Sequence, residues 1–267
     1  MIYWQTDHVI LHHGDSAHVL TEIASDSIDL TVTSPPYDNL RTYQGYVFDF
    51  ATIARELYRV TKPGGVVVWV VGDATVNGSE TGTSFRQALY FKDVCGFNLH
   101  DTMIYQKDAL QFPDANRYGQ IFEYMFIFSK GATKSYHPIA DRKNISYGRK
   151  VTGTNRSQNG ETKKASCWGQ DIKQFGDRFN IWLISNVKGN SQLDHPAQFP
   201  EALARDHILS WSNPGDTVLD PFLGSGTTLK MANLLDRTGV GIEISEDYLT
   251  IAKRRIARAQ QQTRLAF

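Results

Sequence analysis

Five short runs of β-branched and apolar residues, each stopped by a polar or turn-forming residue, constrain this chain more than any other feature. They are HVILHHGD (8–15), IDLTVTSPP (28–36), VVVWVVGD (66–73), TVLDPF (217–222) and TGVGIEI (238–244). Near-continuous apolar strands suit a parallel sheet covered on both faces, because a half-exposed sheet would read as alternation. Parallel neighbours need crossovers, and helical patterns lie between the runs: FATIARELYRV (50–60), stopped by TKPGG, and EALARDHILSW (201–211), entered through Pro200. Proline is best tolerated at a helix start, and a Pro-Gly cluster ends one. The pattern predicts a doubly wound α/β sheet. DTMIYQK (101–107) and IFEYMFIFSKG (121–131) predict an antiparallel pair at one edge.

A chain of 267 residues, 41% of them hydrophobic, can build one large domain carrying an insert. Its longest apolar run, VVVWVV (66–71), is far too short to span a bilayer, and its N-terminal stretch lacks the basic start and apolar core of a signal peptide. Cys95 and Cys167 are far apart and show no metal-ligand spacing, so a reduced, cytoplasmic setting without a structural disulfide is expected.

Formal net charge is zero, so a polyanion must be met by a local patch. Such a patch exists. Between Lys130 and Lys164 nine Lys and Arg residues face only Asp141 and Glu161. Tyr136, Tyr147, Trp168 and Phe175 are interleaved with the basic residues or follow them. Charge alone fits a solvated loop equally well, but basic residues mixed with aromatics point to nucleic acid. No internal repeat is evident.

The run TVLDPFLGSGTT (217–228) leads from a strand through Gly224 and Gly226 into a helical pattern. Glycines there allow a sharp turn and close approach to a ligand. The loop lacks the lysine of a phosphate-cradling P-loop and the third glycine of a dinucleotide fingerprint. Glu243 ends the next strand, about twenty residues after the turn, where an acid can accept from ribose hydroxyls. Together these features suggest a nucleoside cofactor without a pyrophosphate. The run IDLTVTSPPY raises a different question, since two prolines halt a strand and leave Tyr37 beside the Ser34 hydroxyl and the Pro35 carbonyl.

DPFLGSGTT (220–228) resembles the S-adenosylmethionine loop, and TSPPY (33–37) the catalytic motif, of the DNA methyltransferases that modify exocyclic amino groups. GDS (14–16), RVTKPGGVVVWVVGD (59–73) and HPAQFPEALARDHILSW (195–211) extend the resemblance over nearly the whole chain. With the catalytic motif first and the cofactor loop last, the order resembles the permuted β group. The resemblance implies a doubly wound, Rossmann-like methyltransferase sheet, circularly permuted, with a basic target-recognition insert. Its parts would be a catalytic half (1–130), the insert (131–190) and a cofactor-binding half (191–267).

The strands at 217–222 and 238–244 would then lie beside those at 8–15 and 28–36, bringing Asp15, Ser34, Asp220 and Glu243 to one carboxyl edge. By resemblance Ser34, Pro35, Pro36 and Tyr37 are catalytic. S-adenosyl-L-methionine would be held by Asp15, Phe199, Pro200, Asp220, Pro221, Phe222, Gly224, Ser225, Gly226, Thr227, Thr228 and Glu243, with Leu203 completing a Phe-Pro-x-x-Leu feature. No metal is expected. Double-stranded DNA is the implied partner, with a homodimer and a cognate restriction endonuclease as further candidates.

An amino group inside a duplex is out of reach, so the base must be extruded at a cost of a few kcal/mol. Stacking on Tyr37 would return about 1–3 kcal/mol. Ser34 and the Pro35 carbonyl would accept from the amine and aim its lone pair, a matter of positioning. Transfer would be direct, without a covalent enzyme intermediate; no cysteine lies near the motif for carbon-5 chemistry. In the family this motif resembles, serine at the first position goes more often with cytosine and aspartate with adenine, so the resemblance implies cytosine N4, with adenine N6 as the rival. Methylation of RNA or of protein glutamine, whose motif usually begins with asparagine, is a more distant reading, as is a DNA-binding regulator without catalysis. Asp38 is a further candidate near the reacting amine. Arg41 and Tyr43 are candidates for phosphate contact or for filling the gap left by the flipped base, Asp73 for the target-base pocket or a cap on the following turn, and the helix of Arg254, Arg255 and Arg258 for a solvated outer face ahead of a DNA contact. Structural or surface roles are expected for the eight histidines, among them His12, His13 and His195.

Overall fold

The computed structural model describes residues 1–36, 48–108, 116–185 and 199–265. Its elements run in the order β1 (Ile2–Gln5), β2 (Val9–His13), α1 (Ser16–Glu22), β3 (Ile28–Thr33), α2 (Phe50–Val60), β4 (Thr61–Val71), β5 (Thr75–Val76), β6 (Ser79–Glu80), α3 (Thr83–Asp93), β7 (Asn98–Gln106) and β8 (Phe122–Ser129). After these come β9 (Arg142–Lys143), β10 (Thr154–Arg156), β11 (Thr162–Lys164), β12 (Phe175–Gly176), β13 (Ile181–Leu183), α4 (Glu201–Trp211), β14 (Thr217–Asp220), α5 (Thr227–Leu234), β15 (Thr238–Glu243) and α6 (Glu246–Leu265).

Nine of these strands form one sheet in the order β1-β2-β15-β14-β3-β4-β8-β7-β13. From β2 to β4 every neighbour is parallel. The two last strands in the chain, β14 and β15, are inserted between β2 and β3, the adjacency expected from the motif order. The predicted pair is present as antiparallel β7 and β8, and β8 is also antiparallel to β4. It is not the outermost pair: β13 adds in parallel beyond β7.

The strand β4 shows why the apolar runs are unbroken. Val67, Trp69 and Val71 enter a core with α1, α2 and α3, while Val66, Val68 and Val70 enter a second core with α4 and α5. A residue facing either way must therefore be apolar, and each buried Val contributes about 1.5–3 kcal/mol. Leu249, Ala252 and Ile256 of α6 close a third cluster over Val9 and Leu11 of β2. Both predicted helices have the expected bounds. On α2 the buried positions Ile53, Ala54, Leu57 and Val60 form a stripe at helical spacing, and the Asp49 carboxylate accepts from the Thr52 N–H at the start. After Val60 the chain passes straight into β4, and its pairing with β3 slips across Lys62–Gly65, where the Pro-Gly-Gly stop lies.

The chain divides into two compact units, Met1–His137 with Asn180–Phe267, and Pro138–Phe179. The smaller unit falls inside the segment expected to be the insert. It is a two-stranded ribbon, with β9 antiparallel to β12 and β10 antiparallel to β11. Contrary to the sequence expectation, it contains a repeat, since Asn144–Gly153 and Ala165–Gln174 make matching hydrogen bonds at a spacing of 21 residues. Cys95 and Cys167 are both free thiols. No helix among the described residues is long and apolar enough to cross a membrane.

Candidate active site

Parallel strands share one carboxyl edge, and the motif residues gather there. In the order β2, β15, β14, β3, the strand ends carry Asp15, Glu243, Asp220 and Ser34. The ends are stitched together. The Gly14 N–H donates to the Glu243 carbonyl at 3.0 Å, and the Ser16 hydroxyl donates to the Pro221 carbonyl. Thr33 Oγ1 donates to Asp220 Oδ1 at 2.7 Å, and Thr228 Oγ1 reaches the Val32 carbonyl at 3.4 Å.

Asp220 is buried, and burial pushes its carboxyl up to about 6, although Thr33, Thr228 and the Phe222 N–H pull it down; the neighbouring Glu243 charge raises it further. Burial likewise raises Glu243 against the N–H groups of Ser245 and Gly224, which donate to Oε1 at 2.9 Å and Oε2 at 2.8 Å. Glu243 thus holds the glycine loop as well as standing at the edge. Asp15 caps α1 by accepting from the Ala17 N–H at 2.9 Å. Three carboxyls converge on this edge, and two of them are held above their usual range. Ribose hydroxyls, an adenine amine and an ammonium group are all donors that such carboxylates can accept from, so the chemistry of these residues fits S-adenosylmethionine.

Within the glycine loop the roles divide. Gly226 caps α5 at φ +82°, and a Cβ there would lie 2.8 Å from the Ala252 Cβ, so this glycine lets α5 approach α6. Gly224 also has a positive φ, +50°. Ser225, Thr227 and Thr228 are buried, and Phe222 packs edge-on against Phe48 and Trp69 at 5.5 and 6.1 Å between centroids. Pro200 caps α4, with half-buried Phe199 and fully buried Leu203 in the core beneath it. Ser34 and Pro36 are half-buried and Pro35 buried. Tyr37, Asp38, Arg41, Tyr43 and His195 lie outside the described residues.

Of two further expectations, one settles on the second of its two readings and the other is overturned. Asp73 accepts from the Ser84 N–H at 2.8 Å and from the Ser84 hydroxyl, so it is a cap for α3. Arg255 is not part of a solvated face. Its Nη1 donates to the Ser225 carbonyl at 2.8 Å, Ser225 Oγ at 2.7 Å and Thr227 Oγ1 at 3.1 Å. Its Nη2 reaches Glu201 Oε1 at 3.0 Å, which Lys230 also holds at 2.7 Å. Burial raises the Glu201 carboxyl, but Lys230 and Arg255 outweigh it, and the group sits below its ordinary range. Sequence reasoning missed Thr33, Ser16, Glu201 and Arg255. Only Arg255 left a trace: it flanks the buried stripe Ala252, Ile256, Ala259 of α6.

A family model described as DNA methylase, covering N6 and N4 methyltransferases, matches residues 28–254. The chain is 62% identical over 242 residues to the orphan methyltransferase M.BamHII of Bacillus amyloliquefaciens, covering 88% of this chain and 90% of that protein. Among solved structures it is similar to the cytosine-N4-specific PvuII DNA methyltransferase, with a TM-score of 0.69 at 21% identity, covering 95% of this chain and 88% of that one. It is also similar to a putative DNA modification methylase of Thermus thermophilus complexed with S-adenosyl-L-methionine, with a TM-score of 0.62 at 26% identity and 93% of each chain covered.

Proposed function

Because the chain belongs to the family of N6 and N4 DNA methyltransferases, we propose that it methylates the exocyclic amino group of a base flipped out of duplex DNA, with cytosine N4 as the target. S-adenosylmethionine supplies an electrophilic methyl carbon. The residues proposed to hold it are Asp15, Asp220, Glu243, the Gly224–Thr228 loop with Pro221 and Phe222, and the Phe199-Pro200 corner. The Ser34 hydroxyl and the Pro35 carbonyl accept from the target amine and orient its lone pair, Pro36 stiffens the turn, and Tyr37 stacks on the extruded base.

The observation that carries this reading is the 2.7 Å hydrogen bond from Thr33 to Asp220. It joins the strand that ends in Ser-Pro-Pro to the strand that opens the glycine loop, and nucleophile and electrophile must meet across that line. The preference for cytosine rests on resemblance, serine rather than aspartate standing first in the motif. The homodimer and the cognate endonuclease implied by resemblance belong to the same proposal, and sedimentation of the purified chain tests the first.

The test is methyl transfer from labelled cofactor to duplex DNA, RNA and protein side by side, followed by digestion and mass spectrometry of the modified nucleoside. N4-methylcytosine is expected, and it should be lost in Tyr37→Ala and Asp220→Ala proteins that remain folded. N6-methyladenine would transfer the reading to the other amine. Label chiefly in RNA or protein would overturn it.

A further inference from the structure

The ribbon Pro138–Phe179 has an internal two-fold axis. Adding 21 to a residue number in the first arm gives its counterpart in the second, and the hydrogen bonds obey this rule. Asn144 N–H donates to Gln174 O at 2.9 Å, and its counterpart Ala165 N–H donates to Gly153 O at 3.1 Å. Gly148 N–H to Ile172 O (3.2 Å) matches Gly169 N–H to Val151 O (2.8 Å), and Ile172 N–H to Arg149 O (2.9 Å) matches Val151 N–H to Gln170 O (2.9 Å). Each arm bulges at the same place, in a turn ending in a left-handed glycine, Gly148 at φ +78° and Gly169 at φ +81°. Lys150 and Asp171, counterparts of each other, pair across the centre at 2.7 Å.

The side chains follow the backbone. Arg142-Lys143 corresponds to Lys163-Lys164, Tyr147 to Trp168, and Val151 to Ile172. Tyr147 and Trp168 are 61% and 45% exposed, and each offers one hydrogen-bond donor at its polar end. Lys164 holds its ammonium 3.8 Å from the Trp168 ring centroid, so a cation and an aromatic donor share that turn. Nine Lys and Arg against four Asp and Glu give the unit a net charge of +5, in a chain that is neutral overall.

The local two-fold of an antiparallel pair stands normal to the ribbon, so counterpart side chains emerge on the same face. Duplex DNA has two-fold axes normal to its own helix axis, each exchanging the two strands, and its major groove admits a two-stranded ribbon. We propose that this ribbon binds duplex DNA with the two axes aligned, its Lys143/Tyr147 turn holding the backbone of one strand and its Lys164/Trp168 turn that of the other. The proposal rests on the reading of duplex DNA as the substrate. It adds that the contacts come in equivalent pairs.

Affinity of the full chain for a generic duplex of about 30 base pairs, three helical turns, measured across a salt series, tests this. Lys143→Gln and Lys164→Gln should each flatten the slope of log K against log salt by about 0.9, one phosphate each, and the double variant by twice that. Tyr147→Ala and Trp168→Ala should weaken binding several-fold to a similar extent. Unchanged S-adenosylmethionine binding by each variant shows that the fold is retained. Loss carried by one member of either pair, unaltered slopes, or failure of the wild-type chain to bind duplex overturns the proposal. Methyl transfer to plasmid DNA is read separately. Matched losses without transfer would sink the enzyme reading and leave the ribbon standing; transfer without matched losses would do the reverse.

Discussion

Thr33 Oγ1 donates to Asp220 Oδ1 across the boundary between β3 and β14, at 2.7 Å and out of solvent. Thr33→Val keeps the side-chain outline and removes the donor. A buried carboxyl that loses a hydrogen bond costs about 1–3 kcal/mol, so the melting temperature should fall. The midpoint of the Asp220 titration should also rise above its present value. Denaturation as a function of pH measures both effects.

Asp220 itself should give a stability profile of defined sign. Unfolded, its carboxyl titrates near the ordinary value of about 3.9, and folded near 6. Between those values the native state holds the extra proton. Its contribution is therefore complete below about pH 4 and lost as pH rises to about 6. Asp220→Asn, which keeps an acceptor for Thr33 and Phe222, removes that dependence. Above pH 6 the cofactor-free variant should be more stable than wild type by on the order of 2–3 kcal/mol, while binding S-adenosylmethionine more weakly. Urea denaturation across pH 4–8 and titration calorimetry test the two halves.

Arg255 braces the glycine loop from α6 without belonging to it. Arg255→Gln should raise the KM for S-adenosylmethionine about tenfold, as expected for a lost charged hydrogen bond, with kcat nearly unchanged. A generally destabilised protein would lose both together. Arg255→Lys should recover part of the effect.

Gly226→Ala meets two penalties at once, a left-handed φ of +82° and a Cβ placed 2.8 Å from the Ala252 Cβ. A loss of about 1–3 kcal/mol is expected. Ala252→Gly in the same chain should restore part of it by removing the opposing methyl, and thermal melts of the single and double variants would show the rescue.

Asp73→Ala removes the acceptor for the Ser84 N–H at the start of α3 and should cost about 1 kcal/mol of stability. At a temperature where the variant is folded, the KM for DNA should be unchanged. A raised KM would return Asp73 to the target-base pocket.

What the sequence disclosed was governed by range. The runs ending at Asp15, Ser34, Asp220 and Glu243 are strands because both faces are buried, and that leaves unbroken apolar letters. The caps of α2 and α4 are local as well, which is why Phe50–Val60 and Glu201–Trp211 are legible to the residue. Arg255 meets Ser225 from 30 positions away and Glu201 from 54; the apolar stripe beside it marks its place near the core but names neither partner. Asp73 was ambiguous because a strand-end acid looks the same whether it turns toward a ligand or toward Ser84. The ribbon repeat is not legible in the sequence because it resides in hydrogen bonds. Its two arms share little in letters beyond a basic pair, an aromatic-glycine turn and a β-branched residue.

The interleaving of β14 and β15 between β2 and β3 has a consequence for biosynthesis. A ribosome releases the two outer members of that quartet long before the pair that must slot between them. The nascent chain consequently carries unpaired strand edges for most of its synthesis and cannot close its centre until Glu243 has emerged. Such long-range pairing folds slowly and exposes sticky edges meanwhile. Premature termination anywhere before Thr217 would leave two half-sheets with nothing to bridge them, a product for chaperones and proteases rather than a smaller working protein.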